Sequence, residues 1–422
     1  MLKKILGTTG TRLITAIITF FVVFINARAL GSEGVGEIAL IVLGITIILL
    51  ISNFVGGGAM VYLVPRYDAF LLIVPSYFWA VFSAATGAWI LNLTGLIPSK
   101  YLWHIMALSL IQAIGAIHLN FMLGKEKIKE YNLITLLQFT VLITAVITFF
   151  YVLNHKEVLY YVYALYFAFG TTLLLSFFIV LSFVRPASLK GLPEILKQII
   201  KYGTFVQFAN LLQLANYRLG YYIIESYLGK ASLGIYDVGN KLSEGVWLTG
   251  KSVSMVQYSK ISNTKSKEFA VELTLRLLKF VITATALMLM VLLLLPESIF
   301  QFVFGKDFSG IHLVIKSLSP GILAISASMI FSHYFSGIGK HYHNAVSSAI
   351  GVIFTVIFGF KLIPSMGIYG AGITASISYS ASMLYQWIVF IITGNVNLKK
   401  FIINKEDIVF FFSELKKLFI TK

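Results

Sequence analysis

Arg218 and Lys251 are charges set inside long apolar runs, and neither stands alone. Gln207, Asn210, Arg218, Tyr221 and Glu225 recur at helical spacing, so they share one face of a helix. Asp237, Asn240, Lys241, Glu244 and Lys251 share a face of the next. A milder stripe, Arg12, Thr15, Thr19 and Asn26, marks the first apolar run. A charge inside a membrane span costs about 2.5–3.5 kcal/mol on insertion scales, so such residues usually face a wet interior and mark function. Three polar faces predict a common water-filled space. Arg218 and Lys251 are read as lining that space, with Lys241 on the same face as Lys251. Asn26, Asn210, Asn240 and Tyr221 would present amide and phenol groups to the same space, with Arg12 at the cytoplasmic end. Glu225, Asp237 and Glu244 are the acids of these faces and could balance the cations.

Plainer readings stand beside these. Asp237, Lys241 and Glu244 are spaced to neutralise one another along one helix as a structural cluster. Arg12 lies near a helix end and could snorkel to the surface; Arg28 could do the same or cap an outer hairpin. Lys279 lies off the stripes and reads as structural. His341 and His343 sit in a turn beside Lys340 without a carboxylate, a poor metal site. Gly56-Gly57-Gly58 lacks the strand context of a phosphate loop and reads as a helix break or close packing. His333 reads as a packed histidine. There is no cysteine, which excludes disulfides and thiolate metal sites. No catalytic constellation emerges, so the chain is not expected to be an enzyme, and no cofactor or metal is expected.

The elements that position these residues are membrane helices. Of 422 residues 58% are hydrophobic and 12% charged, too little polar surface for a soluble chain of this size. Apolar runs of about 18–25 residues suffice to cross roughly 30 Å of hydrocarbon as helix. They fall near 11–30, 36–64, 70–93, 103–124, 131–153 and 160–184, then 203–228, 233–259, 273–299, 315–337, 344–363 and 368–394. The basic start, Met1-Leu2-Lys3-Lys4, precedes a first run with no cleavage signal and reads as an uncleaved helix. The +16 net charge concentrates in alternate loops by about threefold, which places both termini in the cytoplasm and argues against nucleic acid as partner. The expected organisation is all-α: a six-helix bundle over 1–184, an interfacial linker helix over 185–202, a second bundle over 203–394, and an amphipathic cytoplasmic tail over 395–422.

A short repeat relates the two halves. Leu30-Gly31 with Gly36 and Leu228-Gly229 with Gly234 both read LG-x4-G at the outer end of the opening hairpin. Glycine there permits a tight turn and close helix approach. Six spans per half predict parallel bundles related by an axis along the membrane normal, with a substrate site between them.

The chain resembles the polysaccharide flippases, O-antigen type, of the multidrug/oligosaccharidyl-lipid/polysaccharide (MOP) exporter superfamily. The similarity runs through Asn26-Ala27-Arg28-Ala29-Leu30-Gly31, Asn216-Tyr217-Arg218-Leu219, and Gly234-Ile235-Tyr236 with Glu244 and Trp247. It continues in Gly337-Ile338-Gly339-Lys340 and Gly367-Ile368-Tyr369-Gly370-Ala371. Each piece is short, and their order and spacing carry the case. The resemblance implies two bundles around a central cationic cavity. It also implies transfer of undecaprenyl-diphosphate-linked oligosaccharide, an O-antigen, capsule or exopolysaccharide unit, across a bacterial inner membrane by alternating access. Arg218 matches the basic position on the seventh helix, and Lys241 and Lys251 lie where the eighth lines the cavity. Membrane lipids and other polysaccharide-assembly proteins are the implied partners, with membrane potential, H+ or Na+ as energy sources. Gly220 stands where many relatives carry an acidic residue, which leaves no carboxylate for coupling there. A cation-coupled drug or metabolite exporter, a lipid II flippase, and a membrane glycan polymerase or ligase are the alternatives. The last needs long external loops that this chain lacks.

Overall fold

The computed structural model describes residues 2–185, 191–264 and 266–402, and these form helices and turns with no strand among them. The helices are α1 (Leu2–Gly56), α2 (Gly58–Leu63), α3 (Ala69–Leu93), α4 (Leu102–Gly124), α5 (Ile128–Ile147) and α6 (Val158–Leu181). They continue as α7 (Leu192–Ser262), α8 (Lys267–Leu294), α9 (Glu297–Phe304), α10 (Ile311–Gly337) and α11 (Tyr342–Gly394).

Three of these are far too long for one crossing. The 53 residues of α11 would extend about 80 Å as a rod, against about 30 Å of hydrocarbon. Each long helix is broken by one glycine with positive φ: Gly31 in α1, Gly229 in α7 and Gly367 in α11. Only glycine takes that conformation without strain. At Gly367 the chain doubles back, because a Cβ on Gly370 would meet the Leu362 carbonyl oxygen at 2.1 Å. In an unbroken helix those positions lie about 12 Å apart along the axis. Thr355 Oγ1 then donates to Ser378 Oγ at 2.9 Å, and Ser347 and Ser382 exchange hydroxyl-to-carbonyl bonds at 3.0 and 2.9 Å. The pairing steps away from Gly367 on both sides, the signature of antiparallel limbs. Gly34 and Leu30 pack across Gly31 in the same way, with a Gly34 Cβ only 2.6 Å from the Leu30 Cβ.

Counted by limbs, each of the twelve expected spans has its helix. Among the described residues eight helices are long and apolar enough to cross a membrane by length and composition. The stretch of α7 is not one of them, because its polar face lowers its hydropathy. Large apolar side chains on the spans stand bare, including Phe78, Phe178 and Leu294, at 74%, 68% and 75% exposure, as lipid contact requires.

The expected linker helix is not a separate element. α7 starts at Leu192 and runs without a break through the seventh span to Gly229. Its apolar face is covered by protein: Ile195 and Ile199 are buried with Val64, Leu72, Ile117 and Phe121. The amphipathic tail, beyond a short 3-10 turn at Leu398–Phe401, lies outside the described residues.

The chain divides into two compact units. The first holds residues 1–211 with 230–234 and 303–307; the second holds 212–229, 235–302 and 308–422. In the first, α1 packs on α3, α4 and α5, and α6 packs on α4 and α5. Gly57 interrupts the chain between α1 and α2, so the glycine triplet is a helix break; the Gly56 carbonyl accepts a bond from Asn120 Nδ2 at 3.2 Å. In the second unit α10 packs on α8 and α11. There Ser317 and Gly321 face Gly372 and Ser376, small residues four apart on both helices, and Ser376 Oγ donates to the Ser317 carbonyl at 2.7 Å. Small residues let the backbones approach where lipid gives no hydrophobic drive.

Candidate functional site

The Gly229 turn brings the polar faces of the two limbs of α7 against each other. Tyr221 is the hub. Its buried hydroxyl donates to Asp237 Oδ1 at 2.9 Å and accepts from Arg218 Nη1 at 2.5 Å and Asn240 Nδ2 at 3.1 Å. The Arg218 guanidinium lies 4.9 Å from the Tyr221 ring centre, a cation–π contact, and its Nη2 pairs with Glu244 Oε1 at 2.7 Å. Asn240 Nδ2 also donates to Glu244 Oε1 at 2.9 Å, and Lys241 Nζ pairs with Asp237 Oδ2 at 2.6 Å. Two cations thus face two carboxylates, and the network is formally neutral.

Exposure separates the members. Asp237 is almost wholly covered at 3% side-chain exposure, whereas Lys241 reaches 36%. Arg218 and Glu244 keep 23% and 22%. The Asp237–Lys241 pair is the neutralising contact one helical turn apart that the sequence spacing allows. Glu244 pairs with Arg218 across the Gly229 turn instead of with Lys241. The buried Asn240 Oδ1 has no hydrogen-bond partner.

Aromatic rings flank this network within the second unit. Tyr217, Trp247 and Tyr379 meet pairwise at centroid distances of 5.5 to 6.4 Å, and Tyr236 stands edge-on to Tyr221 at 5.7 Å. Behind them, Asn216 turns the other way and ties α7 to α11. Its Nδ2 donates to Ser382 Oγ at 3.3 Å, and its Oδ1 accepts from Ser378 Oγ at 2.5 Å. Arg218 is therefore carried on a helix limb fixed by buried polar contacts.

Other predicted residues lie apart from the network. Lys251 is exposed and has no carboxylate partner among the described residues. Glu225 is half-buried and makes no ion pair among them. Asn210 belongs to the first unit, where its Nδ2 donates to Gln207 Oε1 at 3.2 Å. Asn26 is buried there with its amide oxygen unpartnered. Arg12 is exposed about 21 Å further along α1. Arg28 Nε donates to the Val303 carbonyl, near the end of α9, at 2.7 Å. His333 Nδ1 donates to the Met329 carbonyl of its own helix at 2.9 Å, and His343 bonds Tyr385 Oη at 2.9 Å; both are packed histidines. No cluster of three metal-binding side chains occurs among the described residues.

Two polar sites escaped the sequence reading. Glu37, nearly buried, takes Lys100 at 3.0 Å and Lys230 at 2.9 Å. A lone acid in an apolar span was the available signal, since it requires cations from elsewhere. His118, wholly buried, bonds Ser176 Oγ at 2.7 Å through Nδ1 and the Tyr77 hydroxyl through Nε2.

No protein-family profile matches the chain. Among curated proteins it is 26% identical over 180 residues to the capsular polysaccharide biosynthesis protein CapF of Staphylococcus aureus. That match covers 42% of this chain and 46% of the relative, so the chain spans about half of that protein's length in the comparison. Among solved structures it is similar to the inward closed conformation of the lipid II flippase MurJ, with TM-score 0.72 at 15% identity over 96% of this chain and 91% of that one. It is similar also to an inward-facing multidrug resistance MATE family transporter of the MOP superfamily, with TM-score 0.70 at 15% identity, covering 92% and 94%. A MOP superfamily transporter from Pyrococcus furiosus, described by the reverse polarity of its binding pocket, gives 0.61 at 15% identity, covering 93% and 96%. At these identities the likeness is one of fold.

Proposed function

We propose that this chain, which has the multi-pass fold of MOP-superfamily transporters, flips a polyprenyl-diphosphate-linked oligosaccharide from the cytoplasmic to the outer leaflet of a bacterial inner membrane. The observation that carries the reading is Arg218, a guanidinium within a membrane hairpin held by Tyr221 and Glu244 yet left 23% exposed. The similarity to a capsular polysaccharide biosynthesis protein supports a glycan substrate, and the fold shared with a lipid II flippase supports a lipid-linked one.

In this mechanism the diphosphate competes with Glu244 for Arg218. Guanidinium suits it, because two parallel N–H groups match two phosphate oxygens. Lys251, without a carboxylate partner among the described residues, and Lys241, more than a third exposed, supply further positive charge. Tyr217, half-buried beside the buried Trp247 and Tyr379 rings, offers an apolar face to a sugar, and buried Asn240 holds Tyr221 and Glu244 in place, while the polyprenyl tail stays in lipid. Alternating access carries the headgroup across. An inside-negative potential favours outward movement of a dianion by roughly 4–5 kcal/mol per 100 mV.

A cation-coupled drug or metabolite exporter is the second reading, favoured by Glu225, a half-buried carboxylate without an ion pair among the described residues. Gene deletion separates the two. Loss of a surface glycan, with its lipid-linked precursor accumulating at the inner leaflet, is the expected outcome, and Arg218→Ala is expected not to restore export although it inserts and folds. Normal glycan in the deletion strain would remove the flippase reading.

A further inference from the structure

The start of α8 and the end of α11 enclose a second polar site. Behind the Ser266 cap, α8 presents Lys267, Val271, Leu275 and Lys279, every fourth residue, along one face. That face, with Gly394–Val396 and the turn at Lys399 and Lys400, lines a cavity of about 950 Å3. Its volume lies at the upper end of the small-molecule range. The whole site lies within the second unit.

Among the described residues five basic side chains line it, Lys267, Arg276, Lys279, Lys399 and Lys400, against Glu268 and Glu272, a net of +3. Glu272 is already bonded to Arg276. Lys279 is 92% covered and stands about 18 Å along α8 from Lys267, so positive charge runs from the rim into the depth. Between the charges the walls are apolar: Val271, Leu275, Val396 and Ile402. Basic groups above apolar walls at the end of a membrane helix match the amphiphilic chemistry of an anionic lipid, with phosphate at the cations and acyl chain along the wall.

We infer that this cavity is a binding site for a phosphate-bearing anion, filled by the headgroup of an anionic phospholipid. The inference does not rest on the flippase reading, because none of its residues belongs to the Arg218 network.

The test uses the full chain in nanodiscs of phosphatidylcholine, titrated with fluorescent cardiolipin and, separately, with inorganic pyrophosphate. Saturable cardiolipin binding is expected, weakened about tenfold or more in the double variant Lys399→Gln/Lys400→Gln. Both lysines are exposed, so the double variant is expected to fold; Lys279→Gln tests the depth of the site. Binding of pyrophosphate with the same sensitivity to these lysines would identify a soluble phosphate as the occupant and leave the chemistry intact. Equal affinity of wild type and double variant for both probes would overturn the site. So would cardiolipin binding no stronger than that of labelled phosphatidylcholine.

Discussion

Gly36 and Gly234 occupy reciprocal positions: a Cβ on Gly36 would lie 1.9 Å from the Lys230 carbonyl oxygen, and a Cβ on Gly234 1.9 Å from the Ser32 carbonyl oxygen. Each glycine meets the carbonyl four residues before the other. All four residues lie in the first unit, where 230–234 joins the N-terminal chain. Such reciprocity is what a local twofold axis produces, and it gives the repeated LG-x4-G a physical role. The first glycine of each copy, Gly31 or Gly229, breaks the helix, and the last admits a neighbouring backbone.

Alanine at Gly36 or Gly234 should therefore be resisted. Backbone is the obstacle, so no side chain can rotate away, and each substitution is expected to cost about 1–3 kcal/mol of stability or more. Gly220 is the control, because a Cβ there meets nothing within 4 Å and alanine is the better helix former. Thermal unfolding in detergent is the measurement. A Gly36→Ala protein melting with the wild type would refute the close approach.

Tyr221→Phe keeps the ring and its contact with Tyr236 but removes the hydroxyl shared by Arg218, Asn240 and Asp237. Asp237 then rests on Lys241 alone, and a buried amide loses one acceptor. The expected cost is about 1–3 kcal/mol, the range for leaving buried polar groups short of partners. Denaturant titration would read it, and an unchanged midpoint would show that the hydroxyl is not the hub.

Much of this architecture was legible from sequence, for stated reasons. Apolar run length located the spans, because lipid demands continuous internally bonded helix. The stripe containing Arg218, Tyr221, Asp237, Asn240 and Glu244 was visible because helical spacing places residues on a face. What spacing cannot give is the partner across a turn. Arg218 and Glu244 are 26 positions apart and meet only because Gly229 reverses the chain; Lys100 and Glu37, from different hairpins, are harder still. Asn26 and Arg12 share the first limb of α1, but Asn26 is buried and Arg12 exposed, a difference in cover that spacing alone does not give. The linker helix was legible as amphipathic, but its apolar face meets protein at Ile195 and Ile199, a choice that hydrophobic periodicity alone leaves open.

Arg218 and Glu244 should behave asymmetrically in transport and symmetrically in stability. Removing either charge strands its partner, so Arg218→Gln and Glu244→Gln should each destabilise, and the double variant should recover part of the loss. In glycan export, by contrast, Glu244→Gln frees the guanidinium and should retain activity, whereas Arg218→Gln should lose it. Complementation of a deletion strain provides the readout, with membrane abundance as the stability control. Export lost equally in both variants would assign the pair to structure alone.

Asn216→Leu tests the support beneath that site. Leucine fills similar space but abandons Ser378 and Ser382 at the contact between α7 and α11. A stability loss of about 1–3 kcal/mol is expected. Gly351→Ala should act in the same direction, since its Cβ would fall 2.3 to 2.5 Å from the Asn216 amide. The two changes disturb one contact, so their effects should fall short of additive in thermal unfolding; full additivity would mean that they act at separate places.

Glu37 gives a ranked prediction, because its two lysines differ in cover. Lys100 is 62% exposed and Lys230 32%, while the Glu37 side chain is 9% exposed. Solvent screening should reduce the Lys100 contact to below about 1 kcal/mol. Glu37→Gln leaves two cations without their counter-charge at the contact that also holds Gly36 and Gly234, and it should cost about 1–3 kcal/mol. The expected order of destabilisation is Glu37→Gln, then Lys230→Met, then Lys100→Met. Raising the salt concentration should narrow the gap between wild type and Lys100→Met first, since ions screen the exposed pair most strongly. A melting series in which Lys100→Met is the most damaging of the three would reverse the assignment and make the exposed lysine the anchor.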